Sequence, residues 1–221
     1  MRGSIPAASR TANVPALPLP LRNALAELAI AAPDEAAARA ALVWLAGAGG
    51  APPPVAAERL AAVHLIDPGG TVLLAVHAPH AAAAAGHAAR ALRAAEAARD
   101  TAAERGLDRA CRVAAALWNE RLFFEVHEVL EAVWKTAVGA ERQALQGVIQ
   151  IAVAFHHLAH GNRRGARALL AEGRGRLGSV PMSVLPALDL ARLLATTAPW
   201  EAALGGDAAP EEAPPRLELA G

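Results

Sequence analysis

Phe123-Phe124-Glu125-Val126-His127-Glu128-Val129-Leu130-Glu131-Ala132-Val133-Trp134 holds neither glycine nor proline, and its large apolar side chains recur at helical rather than alternating spacing. At about 100° per residue and with His127 at zero, Glu131 falls at about +40°, Trp134 at about −20°, Phe123 at about −40°, Leu130 at about −60° and Phe124 at about +60°. These positions form one stripe. His127 and Glu131 are therefore expected on an apolar face, and Glu125, Glu128, Lys135 and Thr136 on the remaining, solvated arc.

The segment that follows, Leu145 to His157, carries large apolar residues nearly all round, the mark of a central helix. Gln146, Gln150 and His157 share one stripe of it, at about 0°, 40° and 20°. Two adjacent antiparallel helices that each carry a polar stripe on an apolar surface are expected to turn those stripes toward each other, with Gly147 allowing close approach. The expected cluster is His127, Glu131, Gln146, Gln150 and His157, with Trp134 as a wall. A buried hydrogen-bond network that fixes helix register is one role for it. Metal binding is another, because His-x3-Glu places two ligands on one helical face and His157 can add a third. Acid–base chemistry by the imidazole and the carboxylate is a third. The zincin pattern His-Glu-x2-His is absent, since Glu131 stands where its second histidine would be.

Asn119 to Trp134, Leu145 to His157 and Gly161-Asn162-Arg163-Arg164-Gly165-Ala166 together resemble the small helical proteins of bacteria and archaea grouped as the domain of unknown function 309 family. The signature of that family, His-x3-Glu-x2-Trp or Tyr, is matched by His127, Glu131 and Trp134. The resemblance covers about residues 107–177. It implies an all-helical fold and brings no activity.

Outward from this segment, helices are expected at Leu107 to Trp118, Leu122 to Ala137, Ala140 to His160, Arg163 to Leu177 and Val184 to Ala195, joined by short connections that make neighbours antiparallel. Upstream, Leu21 to Gly47 reads as two short helices broken at Pro33-Asp34-Glu35, and Ala81 to Arg105 as an alanine-rich helix with a thin packing face. Two Val/Leu/Ile-rich runs around Asp67-Pro68-Gly69-Gly70 suggest a β-hairpin over 60–77. The fold class is thus mainly α. Its parts are a flexible arm at 1–20, an α-rich region at 21–105 containing the hairpin, a helical domain of about five helices in antiparallel hairpins at 106–204, and a flexible tail at 205–221.

Composition supports helix, since 61 of the 221 residues are alanine, the best helix former. With 54% hydrophobic and 19% charged residues the chain is too apolar to be disordered. A formal net charge of zero and only 3% aromatics, with no tyrosine, argue against a globally basic nucleic-acid binder and against a base-stacking platform. The single cysteine, Cys111, excludes an internal disulfide and a multi-cysteine metal site. Arg163, Arg164, Arg167, Arg174 and Arg176 offer an anion patch on one helix, for which a solvated face is the simpler account. No apolar run reaches membrane-spanning length, and the leader is broken by Pro6, Pro15, Pro18 and Pro20, so a cytoplasmic protein is expected. The function stays open between a helical interaction or scaffold module, for a protein partner or a second copy of this chain, and a small metal-binding protein or acid–base enzyme using His127, Glu131 and His157. A divalent metal is the one cofactor the pattern leaves room for.

Overall fold

The computed structural model describes residues 17–48, 50–99, 106–206 and 213–220. It is mainly α, with nine α-helices among those residues. They are α1 (Leu19–Ala31), α2 (Ala36–Val43), α3 (Pro54–Ala62), α4 (Ala81–Ala97), α5 (Gly106–Asn119), α6 (Phe123–Trp134), α7 (Gly139–Ala159), α8 (Arg163–Gly178) and α9 (Leu190–Gly205).

Local chemistry sets the boundaries. Proline occupies the first turn of α1 and of α3, where its missing N–H is no loss. The break at Pro33 ends α1, and the Arg39 guanidinium of α2 donates to the freed carbonyls of Ala32 (2.7 Å) and Pro33 (3.2 Å). Asn162 caps α8 by accepting from Gly165 N at 2.9 Å, and Asp189 caps α9 by accepting from Arg192 N at 2.8 Å. The last helix therefore starts at Leu190 rather than Val184. Pro186 and the Asp189 cap together move it downstream of the expected range.

The hairpin expected over 60–77 does not form, and no strand is found among the described residues. Leu60 belongs to α3, whose start at Pro54 draws in the first apolar run. His64 leaves that helix at φ 57°, and Leu65 and Ile66 turn into the core. The turn itself is made, with Gly70 N bonded to Asp67 O at 2.7 Å and Leu74 N to Leu65 O at 2.9 Å. Beyond it Val72 and Val76 stand in solvent, so nothing covers a face on which a ladder would be stable.

One contiguous core runs through the helices on both sides of Gly106. In the second half α7 and α8 lie backbone to backbone. A Cβ on Gly147 would sit 2.9 Å from Gly173 O, and one on Gly173 would sit 2.7 Å from Gly147 O. Gly147 does permit a close approach, but its partner is α8 rather than α6. Trp118, Phe123, Phe155 and Trp200 form the aromatic centre, with ring centroids 5.2 to 5.7 Å apart.

Within the segment expected to be a flexible tail, residues 213–220 lie against the bundle. Trp118 Nε1 donates to Pro215 O at 2.7 Å, and Leu217 exchanges two bonds with the Asn119 side chain, at 3.0 and 3.2 Å. An isolated antiparallel bridge joins Leu188 to Leu219. The expected arm falls largely outside the described residues, and Leu19 and Pro20 already belong to α1. Among the described residues no helix is long and apolar enough to cross a membrane.

Candidate functional site

The buried face of α6 is made by Phe123, Glu125, Val126, Val129 and Leu130. On the angular scale used above its centre lies at about −100°, not at zero. The valines decide this, because Val126, Val129 and the half-buried Val133 extend the apolar arc away from the aromatic edge. Two carboxylates consequently exchange places. Glu125 is 2% exposed, whereas the Glu131 side chain is 35% exposed, with Lys135 Nζ 3.5 Å away. Glu128, expected to point away, instead reaches His127, with Oε1 2.9 Å from Nδ1.

The expected polar cluster is accordingly dispersed. Gln150 faces α8, where Nε2 donates to Glu172 Oε2 (2.9 Å) and Oε1 accepts from Arg176 Nε (3.0 Å). Gln146 is half-buried on the same helix. His157 lies at the α7–α8 turn, where Nδ1 meets Asn162 Nδ2 at 3.1 Å. Trp134 does not wall in a pocket but carries the Arg142 guanidinium 3.8 Å above its ring. What stays together is His127, Glu131 and the neighbouring Glu128, whose ligand atoms lie within 4.8 Å of one another at a half-exposed site. Such a set can hold one divalent cation with open positions. His157 is not part of it.

The arginines of α8 divide in the same way. Arg174 binds Glu201, Thr197 Oγ1 and the Leu194 carbonyl, clamping α8 to α9, while Arg176 is occupied by Gln150. Arg163 reaches Gly206 O at 3.3 Å, and Arg164 and Arg167 are exposed. This is a structural clamp beside a solvated edge rather than one anion-binding face. Cys111 is buried, and burial pushes its thiol up to about 12, so it supplies no nucleophile.

A cleft that gathers several of the titratable side chains lies elsewhere. A cleft of about 480 Å³ opens between α1, α4, the α5–α6 turn and the end of α7. From α4 it receives His87, Arg90 and Arg93, each three residues from the next on a helical ridge. From the turn come Glu120 and Arg121, from α6 Phe124 and Glu125, from α7 His156 and His160, and from α1 Arg22.

At its floor His87 Nε2 lies 3.1 Å from Glu125 Oε1, an ion-pair distance, yet neither atom is aligned for a hydrogen bond. Both side chains are buried, so proximity of the two groups is what offsets their removal from water. Burial lowers the Arg90 guanidinium from its ordinary value, with the Glu125 carboxylate opposing it. Burial also holds the His156 imidazole down at about 4, with His160 and Arg22 pushing the same way. His156 is thus a neutral ring at neutral pH, tilted against His160 with centroids 4.4 Å apart. Arg22 lies over the Phe124 ring at 4.0 Å. The Nε atoms of Arg22 and Arg90 are buried with no hydrogen-bond partner.

The matched family segment runs through one side of this cleft, since residues 111–169 match the family model for a domain of unknown function, DUF309. This segment is similar to DUF309 domains. It contributes the α5–α6 turn, α6 and α7, within the range expected from the motif, and it assigns no activity. No curated protein and no solved structure matches the chain.

Sequence reading missed the cleft because its residues come from four separated parts of the chain, α1, α4 and two parts of the matched segment. One signal was available. Placing Val126, Val129 and Val133 in the stripe would have turned Glu125 inward.

Proposed function

We propose that this chain is a helical binding module whose DUF309-like segment, roofed by α1 and α4, holds a small molecule in the cleft above the His87–Glu125 pair. The observation that carries the reading is the convergence of Arg22, Arg90, Arg121 and His156, from four separate parts of the chain, on one concavity. Cationic and ring groups gathered from separate elements around one cleft are what a small polar ligand needs. Polar groups converging on an apolar wall, here Phe124, Leu122 and Ala159, are the usual form of such a site.

The test is to add indole, benzylamine and phenyl phosphate separately to the full chain while following histidine ring signals by NMR. At least one of them is expected to shift His156 and His160 and leave the exposed His64 in place. Unmoved His156 and His160 signals with all three would refute the reading.

A second reading rests on the 4.8 Å grouping of His127, Glu128 and Glu131, a carboxylate-rich set that would take a divalent cation such as zinc or manganese. Titration with zinc should then give one binding event that His127→Ala abolishes. A flat titration eliminates it. Catalysis would need this ion or a cleft ligand, and a cytoplasmic location fits either reading.

A further inference from the structure

The charges of the cleft do not balance, and the imbalance bears on the class of ligand. Arg93 is bound to Glu120, with Nη2 and Nε 2.8 and 2.9 Å from Oε2. Arg90 has the buried Glu125 as its nearby countercharge, a carboxylate it shares with His87. Arg22 has no carboxylate partner. Its one hydrogen bond is a 3.3 Å contact from Nη2 to the neighbouring Asn23 side chain, and its plane rests on Phe124. Arg121 sits at φ 60°, a conformation few L-residues other than Asn and Asp adopt. Burial lowers its guanidinium from the ordinary value, and no carboxylate opposes that effect. A turn that needed only a positive φ would be served best by glycine. An arginine held there sets a charge at the cleft mouth, and strain of this kind gathers at binding sites.

Resting on the reading of the cleft as a ligand site, we infer that the ligand is an organic phosphate monoester: its phosphate meets Arg22, Arg90 and Arg121, and its apolar part lies along the wall that Leu122, Phe124 and Ala159 form. The three guanidiniums come from three different elements, α1, α4 and the α5–α6 turn. A carboxylate presents its two oxygens in one plane and carries a single negative charge, which one guanidinium fork matches. A phosphate monoester is a dianion near pH 7 with three terminal oxygens, and it accepts from several directions at once. The neutral His156 ring adds no charge and leaves recognition of the anion to the arginines.

The experiment is calorimetric titration of the full chain with phenyl phosphate, benzoate and benzyl alcohol at constant ionic strength. Phenyl phosphate should bind at least tenfold more tightly than benzoate, with benzyl alcohol weaker still. Arg22→Ala and Arg121→Gly should each weaken phenyl phosphate at least tenfold. Arg121→Gly separates binding from folding, because glycine relieves the positive φ and the thermal midpoint of the free protein should hold or rise. Benzoate or benzyl alcohol binding as tightly as phenyl phosphate overturns the inference. So does an affinity unchanged in Arg121→Gly, or no binding of phenyl phosphate at all. If indole or benzylamine moves the His156 and His160 signals while phenyl phosphate does not bind, the site survives and its assignment to phosphates fails.

Discussion

Helix α4 and the bundle of α5 to α9 bury their surfaces by opposite means. In α4 the buried residues are Ala84, His87, Ala88, Ala91, Ala94 and Ala95, so the helix approaches its neighbours on methyl groups and contributes little volume. In the bundle the centre is Trp118, Phe123, Phe155 and Trp200. An alanine face gains little per residue from burial, but it loses no side-chain entropy and brings backbones close. An aromatic face gains more area and geometric specificity. Alanine packing also leaves the long side chains of α4 free to reach past the interface, and His87, Arg90 and Arg93 arrive at the cleft by that route.

The two regions should therefore break differently. Phe155→Ala empties the aromatic centre and is expected to cost about 3–5 kcal/mol, read as a lower urea midpoint. On the alanine face of α4 truncation has almost nothing to remove, and the damaging change is an addition. Ala91→Leu, at a fully buried position, should cost about 1–3 kcal/mol through overpacking. If Ala91→Leu is tolerated without loss, α4 is not seated on its neighbours as closely as its methyl groups suggest.

Glu125 joins the two regions, and its substitution sharpens the comparison. Glu125→Ala leaves the buried His87 of α4 without its partner and should cost about 1–3 kcal/mol. Glu131→Ala, at the half-exposed edge of the same helix, should stay within about 0.5 kcal/mol. Equal denaturation midpoints for these two variants would contradict the orientation of α6.

A pH dependence of modest size is also expected. His156 is held at about 4 in the folded protein against an ordinary 6.5, with His160, Arg22, His157 and Glu125 as the titratable and charged groups around it. A depressed folded value means that the unfolded chain takes up the proton first. The stabilisation from the neutral ring is complete above about pH 6.5 and is lost as pH falls toward 4. Because the ring is only partly covered, its size is on the order of 1 kcal/mol after solvent screening. His156→Asn should flatten the stability profile between pH 6.5 and 4, and an unchanged profile would show that another group controls that window.

Helix existence was legible in the sequence because it rests on local signals. Pro33, Gly139, Gly161 and the Asn162 cap all mark real boundaries, and α5 to α8 begin and end within a few residues of expectation. Helix orientation was less legible, because three valines outweigh two aromatics once the neighbours of α6 are in place. The hairpin over 60–77 failed for a related reason. Its turn is local and forms, but a strand needs a covered face, and the structure offers none to Val72 and Val76. The polar cluster assumed that the stripes of adjacent helices meet, whereas the Gln150 stripe of α7 is taken by α8 through the Gly147–Gly173 contact. The cleft was beyond any single-segment pattern, since Arg22 and Arg121 come to line one cleft only through the packing of α1 on α6.

The clasp between Asn119 and Leu217 joins positions 98 residues apart. Closing a loop of that length carries an entropic cost of about 4 kcal/mol from its logarithmic term alone. The hairpins of α5 with α6 and α7 with α8 close over far shorter loops and repay sooner. Loop-closure entropy therefore favours an order in which the bundle forms before the backbone at 215–217 fastens the turn that carries Arg121. On that order the mouth of the cleft is set late, on a bundle that already stands beneath it.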